Sequence, residues 1–202
     1  MRASLERESK RYAANLAVNP EVLDYLTRER QITSAAVDRF RLGWTGNDPA
    51  VGDPARKISI PYLSWSGITQ IRFRSFGTGT GIKYLGTEGT PTGLYNTIVL
   101  RSSAQRVYVC EGEIDCITAE ICGLPAVGVP GVSNWKKYYW RVFRYRQVVV
   151  LSDAGEAGEK LARAVRADIE DTKVVVMPED DVNHYYCKYG RSALRGLVGE
   201  SG

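Results

Sequence analysis

Glu111, Asp115, Asp153 and Asp181 are the residues through which this 202-residue chain could do chemistry. Each stands at or just past the end of a short apolar run. Val107-Tyr108-Val109-Cys110 precedes Glu111, Val148-Val149-Val150-Leu151 precedes Asp153, and Lys173-Val174-Val175-Val176-Met177 precedes Glu179-Asp180-Asp181. Short runs rich in β-branched residues read as buried strands. Gly112 lets the backbone turn after the first run, which puts Asp115 on the first turn of the next helix, facing back toward Glu111. Carboxylates delivered to successive strand ends are how an open α/β sheet presents a site. Oxygen ligands with no neighbouring Cys or His favour Mg²⁺, which binds through one or two carboxylates, keeps waters and bridges to phosphates. The implied chemistry is phosphoryl transfer. Taken singly, each acid could instead cap a helix or complement its dipole. Repetition at three strand ends, with Glu-Gly at one and Asp-x-Gly-x-x-Gly at the next, favours a site.

The elements that must position these acids follow from periodicity. From Arg106 onward, strands over 106–110, 125–128, 147–151 and 173–177 alternate with helices over 113–122, 133–144, 156–169 and 184–189. That alternation predicts a parallel sheet covered on both faces. Upstream, Asn19-Pro20 supplies a cap and a first-turn proline for a helix over 21–29, and Thr33 or Ser34 caps a second through Phe40. Segments 57–62 and 68–74 flank Ser64-Trp65-Ser66-Gly67 as a β-hairpin. The Gly-, Thr- and Pro-rich stretch from Gly77 to Tyr95 reads as a meandering loop. Gly77, Gly79 and Gly81 do not make a phosphate loop, because Lys83 is followed by Tyr84 and no helix begins there. The fold class is α/β, an N-terminal α+β subdomain over 1–103 followed by a parallel-sheet subdomain over 104–202.

The chain carries 27 Lys+Arg against 23 Asp+Glu, a net charge of +4. Residues 1–104 hold 14 basic and 9 acidic side chains, residues 105–202 hold 13 and 14. A basic half joined to an acid-bearing half suits a polyanion held on one surface while metal-assisted chemistry proceeds on the other. Alternation puts Arg72 and Arg74 on one strand face, away from Ile71 and Phe73. The N-terminus is charged and has no apolar leader, and no stretch approaches a membrane span, so a cytoplasmic location is expected. Cys110, Cys116, Cys122 and Cys187 lack metal-ligand spacing and read as buried apolar residues, and no zinc is expected. Trp135, Tyr138, Tyr139 and Trp140 have helical spacing that favours packing on the sheet over base stacking. His184 reads as a polar residue at a helix start.

The acidic elements Glu111-Gly112-x-x-Asp115, Asp153-x-x-x-x-Gly158 and Asp181-x-Asn183 resemble the Toprim domain. With the stretch from Tyr25 to Gly43, the Ile58-to-Pro61 strand, Ile82-Lys83-Tyr84-Leu85 and Gly93-Leu94-Tyr95-Asn96, the whole resembles the RNA-polymerase core of bacterial-type primases, phage-borne ones in particular. The resemblance spans roughly residues 20–200 in the expected order. It implies a nucleotidyltransferase that makes short RNA primers from ribonucleoside triphosphates on single-stranded DNA. It implies Mg²⁺ or Mn²⁺ held by Glu111, Asp153, Asp181 and Asn183, with Asp115 beside them. Glu111, Asp115 and Asp153 are the implied catalytic residues. Arg72, Arg74, Lys83, Arg56 and Lys57 would contact nucleic acid or nucleotide.

One departure stands out. The family's second motif reads Asp-x-Asp-x-x-Gly, and here Gly155 takes the second aspartate's place. Either Glu156 reaches in from one position along, or metal affinity is reduced. No zinc ribbon or helicase-binding domain is legible, so these functions are expected from another polypeptide or from a removed part of the gene. The alternatives are a Toprim nuclease using the same carboxylates and a non-catalytic nucleic-acid-binding subunit.

Overall fold

The computed structural model describes residues 2–48, 51, 56–76, 84–85 and 92–200. Lys83 and the glycines Gly77, Gly79 and Gly81 lie outside the described residues. The chain divides into two compact units, Met1–Pro91 and Thr92–Gly202.

In the first unit, α1 (Arg2–Ala17) buries Leu5, Ser9, Tyr12 and Leu16, whose spacing puts them on one helical face. Asn19 caps α2 (Pro20–Asp24) by accepting the Val22 N–H at 3.1 Å. The helix expected over 21–29 continues from there as a π-helical turn, Tyr25–Glu29. Thr33 caps α3 (Ser34–Arg39), its hydroxyl accepting the Ala36 N–H at 3.2 Å. An antiparallel sheet follows in the order β1 (Gly43–Trp44), β2 (Lys57–Ser64), β3 (Gly67–Ser75), β4 (Tyr84–Leu85). Trp65-Ser66 is the two-residue turn of the expected hairpin. Helix α1 lies on β1 and β3, and Leu5 meets Ile68 and Ile71 in a small core. Gly43 permits that approach, since a Cβ there would sit 2.6 Å from the Tyr12 backbone.

The second unit is a parallel sheet of β5 (Arg106–Cys110), β6 (Ala126–Gly128), β7 (Gln147–Ser152) and β8 (Lys173–Val176), ordered β6-β5-β7-β8. Val107 and Val109 of β5 join Val148 and Val150 of β7 in one core with Trp135, Phe143, Leu161 and Val165. Each fully buried side chain of that size contributes about 1.5–3 kcal/mol. Helix α5 (Glu156–Asp168) covers this face, packing on β7. The opposite face takes α4 (Glu113–Ile121), which packs on β5, β6 and α6 (Val182–Leu197). Sheet and helices are therefore as the sequence predicts, with two differences. Helix α6 runs well past residue 189, kinking at Gly190, which adopts φ 79°. The helix expected over 133–144 is instead two 3-10 turns, Val132–Asn134 and Lys137–Val142. That stretch is dominated by aromatic and β-branched residues, which lose side-chain freedom in an α-helix, and neither turn has a side-chain cap.

Two clasps tie distant sequence to the sheet. Tyr95 exchanges backbone hydrogen bonds with Gly128 at the end of β6, which fastens 92–96 to the second unit. Glu200 accepts from Tyr108 Oη at 2.8 Å and Arg106 Nη1 at 2.6 Å, pinning the chain after α6 to the central strand β5. Burial and that carboxylate push the Tyr108 phenol up to about 12. Among the described residues no helix is long and apolar enough to cross a membrane.

Candidate active site

Parallel pairing brings the acids together. Strands β5 and β7 are neighbours in register Cys110↔Leu151, so Glu111 and Asp153 leave adjacent strand ends side by side. On the other flank of β7, Met177 N–H donates to Ser152 O at 2.9 Å and Ala154 N–H to Asp180 O at 2.8 Å, which draws the third acidic turn alongside Asp153. Glycines make the convergence tight. A Cβ at Gly158 would fall 2.1 Å from Asp153 O, and one at Gly128 would fall 2.8 Å from Gly112 O. Both positions demand glycine for close backbone approach. From sequence, Gly158 is only a glycine near a helix start, and Gly128 is not singled out.

Asp153 and Glu111 form the centre of the site. They share a side-chain hydrogen bond, and burial pushes both carboxyls up. For Asp153 the negative charges of Asp115, Glu111 and Asp181 add to burial, and its carboxyl is pushed up to about 9. Without a cation the pair holds a proton more tightly than ordinary carboxylates do. One oxygen of each side chain, Glu111 Oε2 and Asp153 Oδ1, is buried with no hydrogen-bonding partner. Buried acceptor oxygens without a donor are costly unless a cation serves them. Two such oxygens fit the one-or-two-carboxylate mode of a hard divalent ion. Among the described residues no three acidic, His or Cys side chains are already gathered as a ligand set.

Asp115 is 8% exposed and accepts the Asn183 N–H on Oδ1 at 3.1 Å. Its Oδ2 lies 3.2 Å from where a Gly112 Cβ would be, so the side chain faces back toward the β5 turn as its spacing predicts. Asp181 has two attachments: Oδ1 caps α6 by accepting the His184 N–H at 2.6 Å, while its charge acts on Asp153. Asn183 departs from the expectation of a ligand. It is 1% exposed and its amide donates to Thr118 Oγ1 at 2.9 Å, so it ties the third acidic turn to α4. Thr118, three residues after Asp115 and so on the same helical face, was not singled out from sequence, and that spacing is the signal for it. Glu156 does not replace the missing acid. It is exposed and paired with Lys160 at 2.7 Å along the outer face of α5. Gly155 adopts φ 101°, and a Cβ there would meet nothing within 4 Å. His184 is exposed at the start of α6, 3.7 Å from Asp180.

The basic residues of the first unit are less uniform than alternation implies. Arg72 and Arg74 pair across the hairpin with Ile60 and Ile58, both fully buried, so their face is half-buried and not an open solvated one. Lys57 is only 2% exposed and offers no ammonium at the surface. Arg56 is exposed and pairs with Glu21 at 3.4 Å. A cavity of about 710 Å³ in this unit, lined in part by Glu6, Lys10, Leu16, Asp38 and Arg41, contains none of the acids above. All four cysteines are free thiols; Cys110, Cys116 and Cys122 are buried, while Cys187 is only half-buried.

Residues 106–192 match the Toprim domain family. The Gene 57 protein of Mycobacterium phage D29 is 38% identical over 144 residues, which is 68% of this chain and 94% of that protein. Among solved structures, the Aquifex aeolicus primase with its zinc-binding and RNA polymerase domains superposes with a TM-score of 0.81 at 18% identity, covering 98% of this chain and 60% of that one. The RNA polymerase domain of Mycobacterium tuberculosis primase DnaG, in complex with DNA, gives a TM-score of 0.74 at 21% identity over 94% of this chain and 76% of that one. This chain carries a Toprim domain over residues 106–192, has the fold of the primase catalytic core, and belongs to the family of the phage D29 Gene 57 protein.

Proposed function

We propose that the chain is the catalytic core of a DNA primase, joining ribonucleoside triphosphates on a single-stranded DNA template in the host cytoplasm. The observation that carries this reading is the half-buried Glu111–Asp153 pair, with one buried, unpartnered oxygen on each side chain, at adjacent strand ends of a primase-core fold. Attack of a 3′-hydroxyl on an α-phosphate requires positioning and neutralisation of growing charge more than covalent chemistry. A bound Mg²⁺ or Mn²⁺ would supply that neutralisation and lower the barrier to deprotonating the attacking hydroxyl. In this reading Glu111 and Asp153 hold the ion, with Asp181 contributing the oxygen not used in capping α6. Asp115, fixed by Asn183, maintains the negative field that draws the ion in. The first unit serves as the basic subdomain, with Arg72, Arg74, Arg56 and Lys83 as its phosphate contacts. The second serves as the catalytic Toprim subdomain.

De novo primer synthesis from labelled ribonucleotides on a single-stranded template tests the proposal. Wild type should yield short RNA, and Asp153→Ala should not. No product with either Mg²⁺ or Mn²⁺, with or without an added zinc-ribbon polypeptide, would overturn it. The nuclease reading draws on the same two oxygens, and shortening of labelled DNA with metal but no nucleotides would favour it.

A further inference from the structure

The segment over 132–146 splits its aromatic residues between two destinations. Trp135 and Phe143 enter the core of the second unit, their rings stacked at 5.9 Å, and Trp135 Nε1 donates to Asp168 at 2.8 Å. Tyr138, Trp140 and Tyr145 face out, 60%, 40% and 83% exposed. Single exposed apolar side chains are ordinary, but three large rings exposed within 138–145 are a concentration. The segment carries five Lys and Arg and no Asp or Glu. Arg141 lies 5.8 Å from the Trp140 ring centroid and Arg144 lies 4.9 Å from that of Tyr145.

This display is held rigidly. Tyr138 packs edge-on to Tyr139 at 4.9 Å, and Tyr139 edge-on to Trp135 at 5.6 Å, so the outer ring is braced through a ladder to the core. The Arg146 guanidinium donates to the carbonyls of Leu100, Ser102 and Ala104, fixing the chain just past the display. Tyr145 adopts φ 68°, a left-handed conformation unfavourable for a bulky residue, and its ring points into solvent.

We propose that Tyr138, Trp140 and Tyr145, with Lys137, Arg141 and Arg144, form a binding surface for single-stranded nucleic acid. Unpaired bases stack on braced rings while the cations follow the phosphates, a combination that tolerates any sequence. A protein partner would also use such rings as anchors; five cations and no acid within 132–146 favour a polyanion. The surface lies outside the acid cluster and needs neither metal nor nucleotide, so it stands or falls separately from the catalytic reading.

Fluorescence anisotropy with labelled oligothymidylate, in chelator, tests it on the whole chain. Tyr138→Ala and Trp140→Ala should each weaken binding roughly tenfold. Arg141→Gln and Arg144→Gln should each reduce the salt slope by about 0.7. Tyr145→Gly is the discriminating variant, because it relieves the backbone: thermal stability should hold or rise while affinity falls. An abasic phosphodiester chain of equal length should bind much more weakly than the oligothymidylate. Equal binding of the two chains would overturn the proposal, as would unchanged affinity in the aromatic variants.

Discussion

The turns that follow β5 and β7 leave adjacent strands of one sheet, yet they are built in opposite ways. After β5 the turn and the first turn of α4 carry three acids, Glu111, the buried Glu113 and Asp115, and Gly112 has an ordinary extended conformation with φ −141°. After β7 only Asp153 is turned to the site, the first-turn acids Glu156 and Glu159 of α5 being exposed, and two glycines do the rest: Gly155 at φ 101° and Gly158 pressed against Asp153 O. The first turn is specified by side chains, the second by backbone. Negative charge is thus concentrated on the β5 side, and the β7 turn contributes geometry. A metal site on such a sheet leans on Glu111 and Asp153 as a pair, since neither has a local substitute.

The sharpest way to break this contrast is to neutralise one acid from each turn. Glu111→Gln and Asp153→Asn should each lower primer synthesis by on the order of a thousandfold or more, measured as product per enzyme under single-turnover conditions. Next in size comes backbone crowding. Gly158→Ala forces a methyl into the Asp153 carbonyl and should destabilise by about 1–3 kcal/mol in urea unfolding. Gly112→Ala, with its nearest contact at 3.2 Å to a side-chain oxygen, should cost clearly less.

The third test concerns charge. Asp153 is pushed up to about 9, above its unfolded value, so it favours the fold while protonated, and that contribution is lost as pH rises through about 9. Metal-free wild type should therefore melt lower at about pH 9 than at about pH 6, whereas Asp153→Asn should melt at a more nearly constant temperature. Removing the tie between turns is a smaller change: Asn183→Ala should cost about 1–2 kcal/mol, mainly the lost bond to Thr118. Glu156→Gln should leave both activity and melting temperature unchanged within error, because it loses only an exposed pair with Lys160. A large loss of activity there would show that Glu156 swings into the site after all.

Strand ends and the order of acids were legible in the sequence because β-branched runs and turn glycines report backbone demands directly. What the acids do was less legible. A side-chain oxygen just before a helix serves equally as cap or ligand, and Asp181 caps α6 while its charge still reaches Asp153. Asn183 read as a ligand by its position two residues on, but only the packing of α6 on α4 shows its amide meeting Thr118. Alternation placed Arg72 and Arg74 on one face correctly, yet whether that face is wet depends on Ile58 and Ile60 across the hairpin. The 133–144 segment has the spacing of a helix at Trp135, Tyr139 and Phe143, and forms 3-10 turns that bury much the same rings.

The Glu200 clasp also sets an order of events during synthesis. Its partners Tyr108 and Arg106 lie 92 and 94 residues earlier, on the central strand of the second unit. Chains emerge at about 5–20 residues per second and fold by units, N-terminal first. The first unit has its whole sequence by Pro91 and is free to form on the ribosome. The second gains this clasp only after residue 200 has cleared the exit tunnel, on a β5 already paired with β6 and β7. The sheet itself needs no residue beyond Val176, so the clasp is a late fastening laid over strands that can already pair.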